Sequence, residues 1–390
     1  MKYATNKTAT VLALMAVLTT SAHSSIARES DAAIGELKFT GDTLVLPLKK
    51  HAMHPRLNVD FGDDVAHEFI VDTGASVNVI DTTIAEKLGF EVVGETEIGA
   101  PGGPQIPAKI VKVPLAQVGG ATIVDAEFVT MDVLGFSGGT THGVLGTGIF
   151  SDYLLTFDRK AGHIELSRGS LSANEPGVLS YDPSNSQVEI EMDVAGRTVA
   201  AHIDTGSMGK FMLPGEIMAS LSLQESRMAG KARLVGGNRD IKHAQLNGSI
   251  QFAGFEFKNP QVAFMTPSPG AGNIGSGILA DYVVSIDQKN HLIGFRKQAG
   301  AGVATNDNKP RRIGVGFRGA PGGTVLTVAS VSPDSLADKA GLVAGDVLLK
   351  LNERPTEQYE MSELRTLFGS NEPLKFDVER DGEAKTVEIK

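Results

Sequence analysis

The chain of 390 residues contains no cysteine. That absence excludes disulfides, zinc–thiolate sites and thiol catalysis together, and it leaves the compartment open. No apolar run is long enough to cross a bilayer. Positive charge is scarce: 36 Lys and Arg stand against 46 Asp and Glu, a formal net charge of −10. This sign argues against nucleic acid or an anionic membrane as the main partner. There is no phosphate loop or dinucleotide glycine pattern, because Gly99-Ala100-Pro101-Gly102-Gly103 does not lead into a helix. His51 and His54 have i,i+3 spacing without a further ligand set, so no metal or organic cofactor is expected. Together with His142 and His202, they read as structural or solvated residues.

What is present is apolar, 41%, and rich in glycine, with 45 residues. Many short extended runs separated by glycine turns describe a mainly β protein. Lys2 and Lys7 precede an apolar stretch at 11–18, and small residues follow. This is the layout of a secretory signal peptide over 1–27, so a secreted or periplasmic protein with no membrane span after signal removal is expected. Residues 28–40 read as polar and flexible.

Two stretches stand out. Phe69-Ile70-Val71-Asp72-Thr73-Gly74-Ala75-Ser76 is echoed by Ala201-His202-Ile203-Asp204-Thr205-Gly206-Ser207-Met208. In each, a β-prone run delivers one aspartate to a tight turn. A lone buried carboxylate is costly, but two in contact cannot both ionise and share a proton. One can then act as base on a water while the other acts as acid. The surroundings repeat as well. The segment from Gly146 to Asp158 aligns without a gap on Gly275 to Asp287, pairing Asp152 with Asp281 and Asp158 with Asp287. These four acids read as turn and loop-end residues. Helices are expected at 82–88 and 214–221, and glycine-rich tips at 98–104 and 236–237. The duplication implies two homologous halves facing each other across a pseudo-two-fold axis.

These motifs resemble the pepsin and retropepsin clan of aspartic proteases over about residues 42–297. The resemblance implies a bilobal, double-ψ-loop acid-protease fold, with halves at 42–170 and 180–297. It implies that Asp72 and Asp204 hold the lytic water and that Thr73 and Thr205 bond across the interface. Gly74 and Gly206 would turn the backbone without a Cβ clash, and Ala75 and Ser207 would line the floor. Ala75 is a retropepsin trait, and the first tip carries no tyrosine. The tips Gly102-Gly103 and Gly236-Gly237 therefore read as two flaps of a fused, single-chain retropepsin-like dimer. Met208 stands where Ser76 stands, so the halves are not equivalent. The implied function is an endopeptidase with a polypeptide substrate in the cleft; the alternative is a catalytically inactive peptide-binding scaffold.

Residues 298–310 have linker composition. Beyond them, Ser332-Pro333-Asp334-Ser335-Leu336-Ala337-Asp338-Lys339-Ala340-Gly341-Leu342 and Gly345-Asp346-Val347-Leu348-Leu349-Lys350-Leu351-Asn352 resemble a PDZ domain over 311–390. A capped helix ending at Gly341, a second helix at 357–368 and a hairpin at 374–389 are expected. By resemblance, Gly314, Val315, Gly316 and Phe317 form the loop that binds the carboxylate of a peptide or protein C-terminus, which adds a strand to the sheet edge; the alternative is a domain that only packs on the protease part or stabilises it.

Overall fold

The computed structural model describes residues 10–12, 35–49, 54–99, 103–137, 139–185, 187–235, 237–266, 270–298, 313–319, 326–331, 335–359, 364, 367–368, 372–380 and 382–389. The chain divides into two compact units, Met1–Thr305 and Asn306–Lys390. Residues 299–312, which hold most of the expected linker, lie outside the described residues.

The first unit is built twice from one plan. In its N-terminal half, strand Arg56–Val59 turns into His67–Asp72 as an antiparallel hairpin. His67–Asp72 then takes Gly143–Gly146 as a parallel neighbour on its other side, with Gly146 beside Asp72. Flanked by strands on both edges, it is buried on both faces, which explains why its sequence is apolar almost throughout rather than alternating. Asn78–Asp81, Ala121–Met131, Ile106–Val118 and Glu91–Ile98 complete the sheet. In the C-terminal half, Glu189–Val194 and Arg197–Asp204 form the same hairpin, and Gly272–Gly275 runs parallel to the latter with Gly275 beside Asp204. Phe211–Pro214, Gln261–Thr266, Gly237–Leu246 and Leu223–Leu234 follow in the same order outward.

A six-stranded sheet joins the halves. At its middle, Leu154–Asp158 lies antiparallel to Tyr282–Asp287, with Thr156 opposite Ser285 and their hydroxyls 2.9 Å apart. These two residues are equivalents in the repeat, so the pseudo-two-fold axis passes between them. One continuous apolar cluster, including Phe69, Phe128, Leu145, Phe157, Phe211, Phe264 and Ile286, fills both halves. The halves are therefore fixed to each other by a shared sheet and a shared core.

The expected helix at 82–88 is Thr82–Lys87, and Asp81 caps it by accepting from Thr83 N–H at 2.9 Å. Over 214–221 the helix is the tighter 3₁₀ form, Gly215–Ser220. The reading of 28–40 as flexible is corrected in its last part. Glu36–Lys38 pairs with Ala121–Met131, because Leu37 is buried in the core. Within the expected signal peptide only Thr10–Leu12 is described. It runs parallel to Leu223–Leu234.

The second unit is a six-stranded sheet over its own core of Ile313, Leu326, Val328, Leu348, Leu351, Phe376 and Val378. Ser335 caps Leu336–Ala340, and Gly341 ends it in the left-handed conformation at φ 88°. The hairpin at 374–389 forms as expected, Leu374–Arg380 against Glu383–Ile389. Buried Asp346 accepts a two-pronged bond from Arg380, at 2.6 and 2.8 Å. The expected helix at 357–368 is corrected at its start. A short 3₁₀ turn, Thr356–Gln358, gives way to extended backbone at Tyr359, because the Tyr359 hydroxyl is held on the Leu351 carbonyl. Helix is described at Leu364, Leu367 and Phe368. The loop reading of 314–317 is also corrected. Only Gly314 precedes the strand, at φ 78°, while Val315, Gly316 and Phe317 pair with Val331, Ser330 and Val328.

Candidate active site

Each aspartate ends a buried strand and is followed by Thr-Gly at the same turn. The threonines tie the two turns together. Thr73 Oγ1 donates to the Ile203 carbonyl at 2.5 Å and accepts from Thr205 N–H at 3.0 Å. Thr205 Oγ1 donates to the Val71 carbonyl at 2.7 Å and accepts from Thr73 N–H at 3.0 Å. Four bonds thus close a ring between the halves, all from groups that burial would otherwise leave unpaired.

Inside this ring the two carboxyl groups are brought together, close enough for the charge of one to act on the other. Asp72 Oδ1 accepts from Gly74 N–H at 2.7 Å and from Gly206 N–H at 3.2 Å. Asp204 Oδ1 accepts from Ser207 N–H at 2.8 Å, and Asp204 Oδ2 from Asn273 Nδ2 at 2.5 Å. Both side chains are buried, 0% and 1% exposed. Burial pushes both carboxyls above the usual carboxylate range, and for Asp72 the charge of Asp204 adds to it. Two buried acids in contact hold one proton between them over a wide pH range.

The glycines at 74 and 206 avoid a Cβ clash, as expected, and the clash they avoid is with the opposite carboxylate. Neither has a positive φ. A Cβ on Gly74 would lie 2.8 Å from Asp204 Cγ, and a Cβ on Gly206 would fall on the Asp72 carboxylate. Each glycine makes room for the other half's aspartate. Ala75 and Ser207 are buried beside the pair as expected.

The structure adds residues that the sequence reading missed. Gln187 Nε2 donates to the Gly74 carbonyl, and His54 Nδ1 lies 3.4 Å from the Thr205 carbonyl. Each precedes the first strand of the hairpin that carries its own half's aspartate, and reaches the Asp-Thr-Gly turn of the other half. Ser276 Oγ supports the second turn by donating to the Thr205 carbonyl at 2.8 Å, and Asn78 Oδ1 accepts from Gly146 N–H at 3.1 Å. Comparing Val144-Leu145-Gly146 with Asn273-Ile274-Gly275 would have exposed Asn273 as a polar residue at an apolar position. His54 and Gln187 carry no motif and are recognisable only in space.

Of the expected tips, Gly102 and Gly236 lie outside the described residues, and Gly103 and Gly237 are exposed or half-buried at the ends of two hairpins. These hairpins are Glu91–Ile98 with Ile106–Val118, and Leu223–Leu234 with Gly237–Leu246. Val235, at the second tip, is buried in a cluster with Ile98, Ala75, Val79 and Val144 of the first half. The second hairpin thus reaches over the Asp72 turn. An apolar cavity beneath the first hairpin is lined by Ser76, Val77, Asn78, Thr96, Ile110 and Val129. Among the described residues, no group of three or more His, Cys, Asp or Glu is placed to hold a metal.

Residues 57–149 and 190–279 each match the family model described as aspartyl protease. Residues 327–380 match the model described as PDZ domain. No curated protein matches the chain. The protein is therefore built from two retropepsin-like aspartyl-protease halves followed by a C-terminal PDZ domain.

Proposed function

We propose that this chain of two aspartyl-protease halves and a PDZ domain is an exported endopeptidase in which Asp72 and Asp204 activate water against a peptide bond. The observation that carries the reading is the pair of carboxyl groups, both buried and brought together inside the threonine ring, where burial holds both above the usual carboxylate range. An ionised pair would be a liability in a core, and an inert fold has no need for it. With one proton on the pair, the ionised carboxyl draws a proton from water as its oxygen attacks the scissile carbonyl. The protonated carboxyl hydrogen-bonds the carbonyl oxygen and neutralises the charge that develops there. The proton taken from water then passes to the leaving amine.

The other residues serve this chemistry by position. The threonine ring holds the two turns in register, so that neither carboxyl drifts from the shared water. The cavity lined by Val77, Ile110 and Val129 accepts an apolar substrate side chain beside the Asp72 turn. The hairpin carrying Val235 closes over the cleft and must lift for an extended polypeptide to enter. The PDZ domain receives a peptide or protein C-terminus, and the strand edge following Gly314 is the site for it. The signal-like stretch over 1–27 supports export, to the periplasm or beyond.

The test is cleavage of an unfolded protein such as casein by the full chain from pH 3 to 8, beside Asp72→Asn. Mutant-sensitive cleavage with a pH optimum supports the reading. If no pH gives cleavage that the substitution abolishes, the dyad is not a hydrolytic centre and the chain acts as a peptide-binding scaffold.

A further inference from the structure

The two halves differ in the side chain that the strand beside each aspartate turns toward the carboxyl pair. Val144 pairs with Ile70 in the strand beside Asp72, and Asn273 pairs with His202 in the strand beside Asp204. Each sits two residues before the end of its repeat, so they are equivalents. Val144 is fully buried and brings no donor. Asn273, 3% exposed, donates Nδ2–H to Asp204 Oδ2 at 2.5 Å.

The donors around the two carboxyls are therefore distributed differently. Asp204 is served on both oxygens, by Ser207 N–H on Oδ1 and by Asn273 on Oδ2. Asp72 receives both of its backbone donors on Oδ1. Its Oδ2 accepts from no donor among the described residues. Negative charge in a dry site settles where donors are most complete, and a proton settles on the oxygen that lacks them.

We propose that Asn273 is a positioning residue that keeps the shared proton on Asp72, making Asp204 the base toward water and Asp72 the acid toward the substrate carbonyl. This rests on the hydrolytic reading above. Asp204 takes a proton from water as the water oxygen bonds to the carbonyl carbon. The carbonyl π pair moves onto its oxygen, which receives the proton of Asp72. The resulting diol then returns a hydroxyl proton to Asp72 as the C–N bond breaks and protonated Asp204 gives its proton to the departing nitrogen. Both carboxyls end as they began. Among the other titratable groups on the surrounding elements, the histidines do not impose this polarity, and Glu127 works in the same direction as Asn273. His54 faces the Thr205 carbonyl, and burial keeps His202, 3.6 Å from Glu189, toward its neutral form. Glu127 borders the cavity on the Asp72 side, where its charge would favour a proton on that half.

The experiment is a carbon-13 titration of the full chain with carboxyl-labelled aspartate, assigned with Asp72→Asn and Asp204→Asn. Asp204 is expected to ionise at lower pH than Asp72. In Asn273→Val, which copies the first half, the lower step should rise by about 1–2 pH units, the size expected for losing one hydrogen bond to an ionised group. The acid limb of kcat/KM should rise with it. Val144→Asn should narrow the gap from the other side by giving Asp72 a donor. Ionisation of Asp72 first in the wild type overturns the proposal, as does an Asn273→Val titration unchanged in both steps. If Asn273→Val does not fold, the wild-type order and Val144→Asn still decide. The readouts separate the two claims. Expected titrations without any cleavage sink the hydrolytic reading alone. Asp72-dependent cleavage with an unmoved acid limb sinks the role of Asn273 alone.

Discussion

The Asp72 turn and the Asp204 turn come from one template and share the same threonine ring, yet they are finished differently. Asn78 Oδ1 holds Gly146 N–H in the first half, whereas the Lys210 carbonyl holds Gly275 N–H in the second. His54 supports one turn from across the interface and Gln187 the other. Asn273 touches Asp204, while its equivalent, Val144, is a buried apolar residue in the cluster with Ile70, Ala75 and Val79. The lesson is that symmetry supplies the scaffold and its departures supply the division of labour. A symmetric dyad would leave the proton free to sit on either side.

The comparison can be broken most forcefully at the carboxyls. Asp72→Asn and Asp204→Asn should each lower kcat by about 10³-fold or more, since each removes one of two groups that act as a unit. Steady-state cleavage of a labelled peptide measures this, and a variant keeping a tenth of wild-type activity would contradict the dyad. The glycines come next, and here the halves should differ. Gly206→Ala drives a Cβ onto Asp72, while Gly74→Ala places one 2.8 Å from Asp204 Cγ. Overpacking of this kind costs about 1–3 kcal/mol, and Gly206→Ala should fall at the upper end in urea unfolding, with Gly74→Ala below it.

The threonines should behave alike. Thr73→Val and Thr205→Val each strip two cross-interface bonds, about 2 kcal/mol apiece. The double variant should cost less than the two singles combined, because each single already leaves the partner's groups unpaired. A difference above about 1 kcal/mol between the singles would show that the ring itself is asymmetric.

The smallest effect is a pH dependence of stability. The pair's folded pKa values are raised by burial. The folded state therefore binds protons more readily than the unfolded state, and the stability this brings is complete below the ordinary carboxylate range. It is lost as pH rises through the raised values. Asp72→Asn replaces the carboxyl that must stay protonated with a neutral amide. It should therefore be more stable than wild type at pH 7, by about 1–2 kcal/mol, and this advantage should vanish toward pH 4. Thermal unfolding of both proteins across that range checks the sign. An advantage that grows on acidification would refute the raised values.

Much of the fold was legible because the repeat was. A run such as Phe69-Ile70-Val71, apolar on both faces, requires neighbours on both sides, and the structure provides them in Arg56–Val59 and Gly143–Gly146. Capping residues also wrote their helices plainly, as Asp81 and Ser335 illustrate. The failures are of one kind. Glu36–Lys38 looked like part of a polar tail because a three-residue strand has too little pattern to read, and its order comes from burying Leu37. The helix expected from Glu357 starts later because the Tyr359 hydroxyl binds a carbonyl on a neighbouring strand. Val315 reads as loop by its glycines and is strand by its partner.

The same division runs through the site. Asp72, Thr73, Gly74 and their echoes at 204, 205 and 206 could be named from the chain alone, because the chemistry of a paired carboxyl demands a particular local turn and the duplication writes that turn twice. The sequence by itself thus determined which residues could form the pair and that two halves would present them. Only the tertiary structure decided how the pair is seated: that Gly206 is there to admit the Asp72 carboxylate, that Gln187 and His54 cross the interface, that Val235 covers the first turn, and that Asn273 reaches the Asp204 carboxylate. The physical reason is that local turns are set by neighbours in sequence. The donors, close approaches and burial that seat two identical aspartates differently come from residues far apart in the chain, and folding alone brings these to one point.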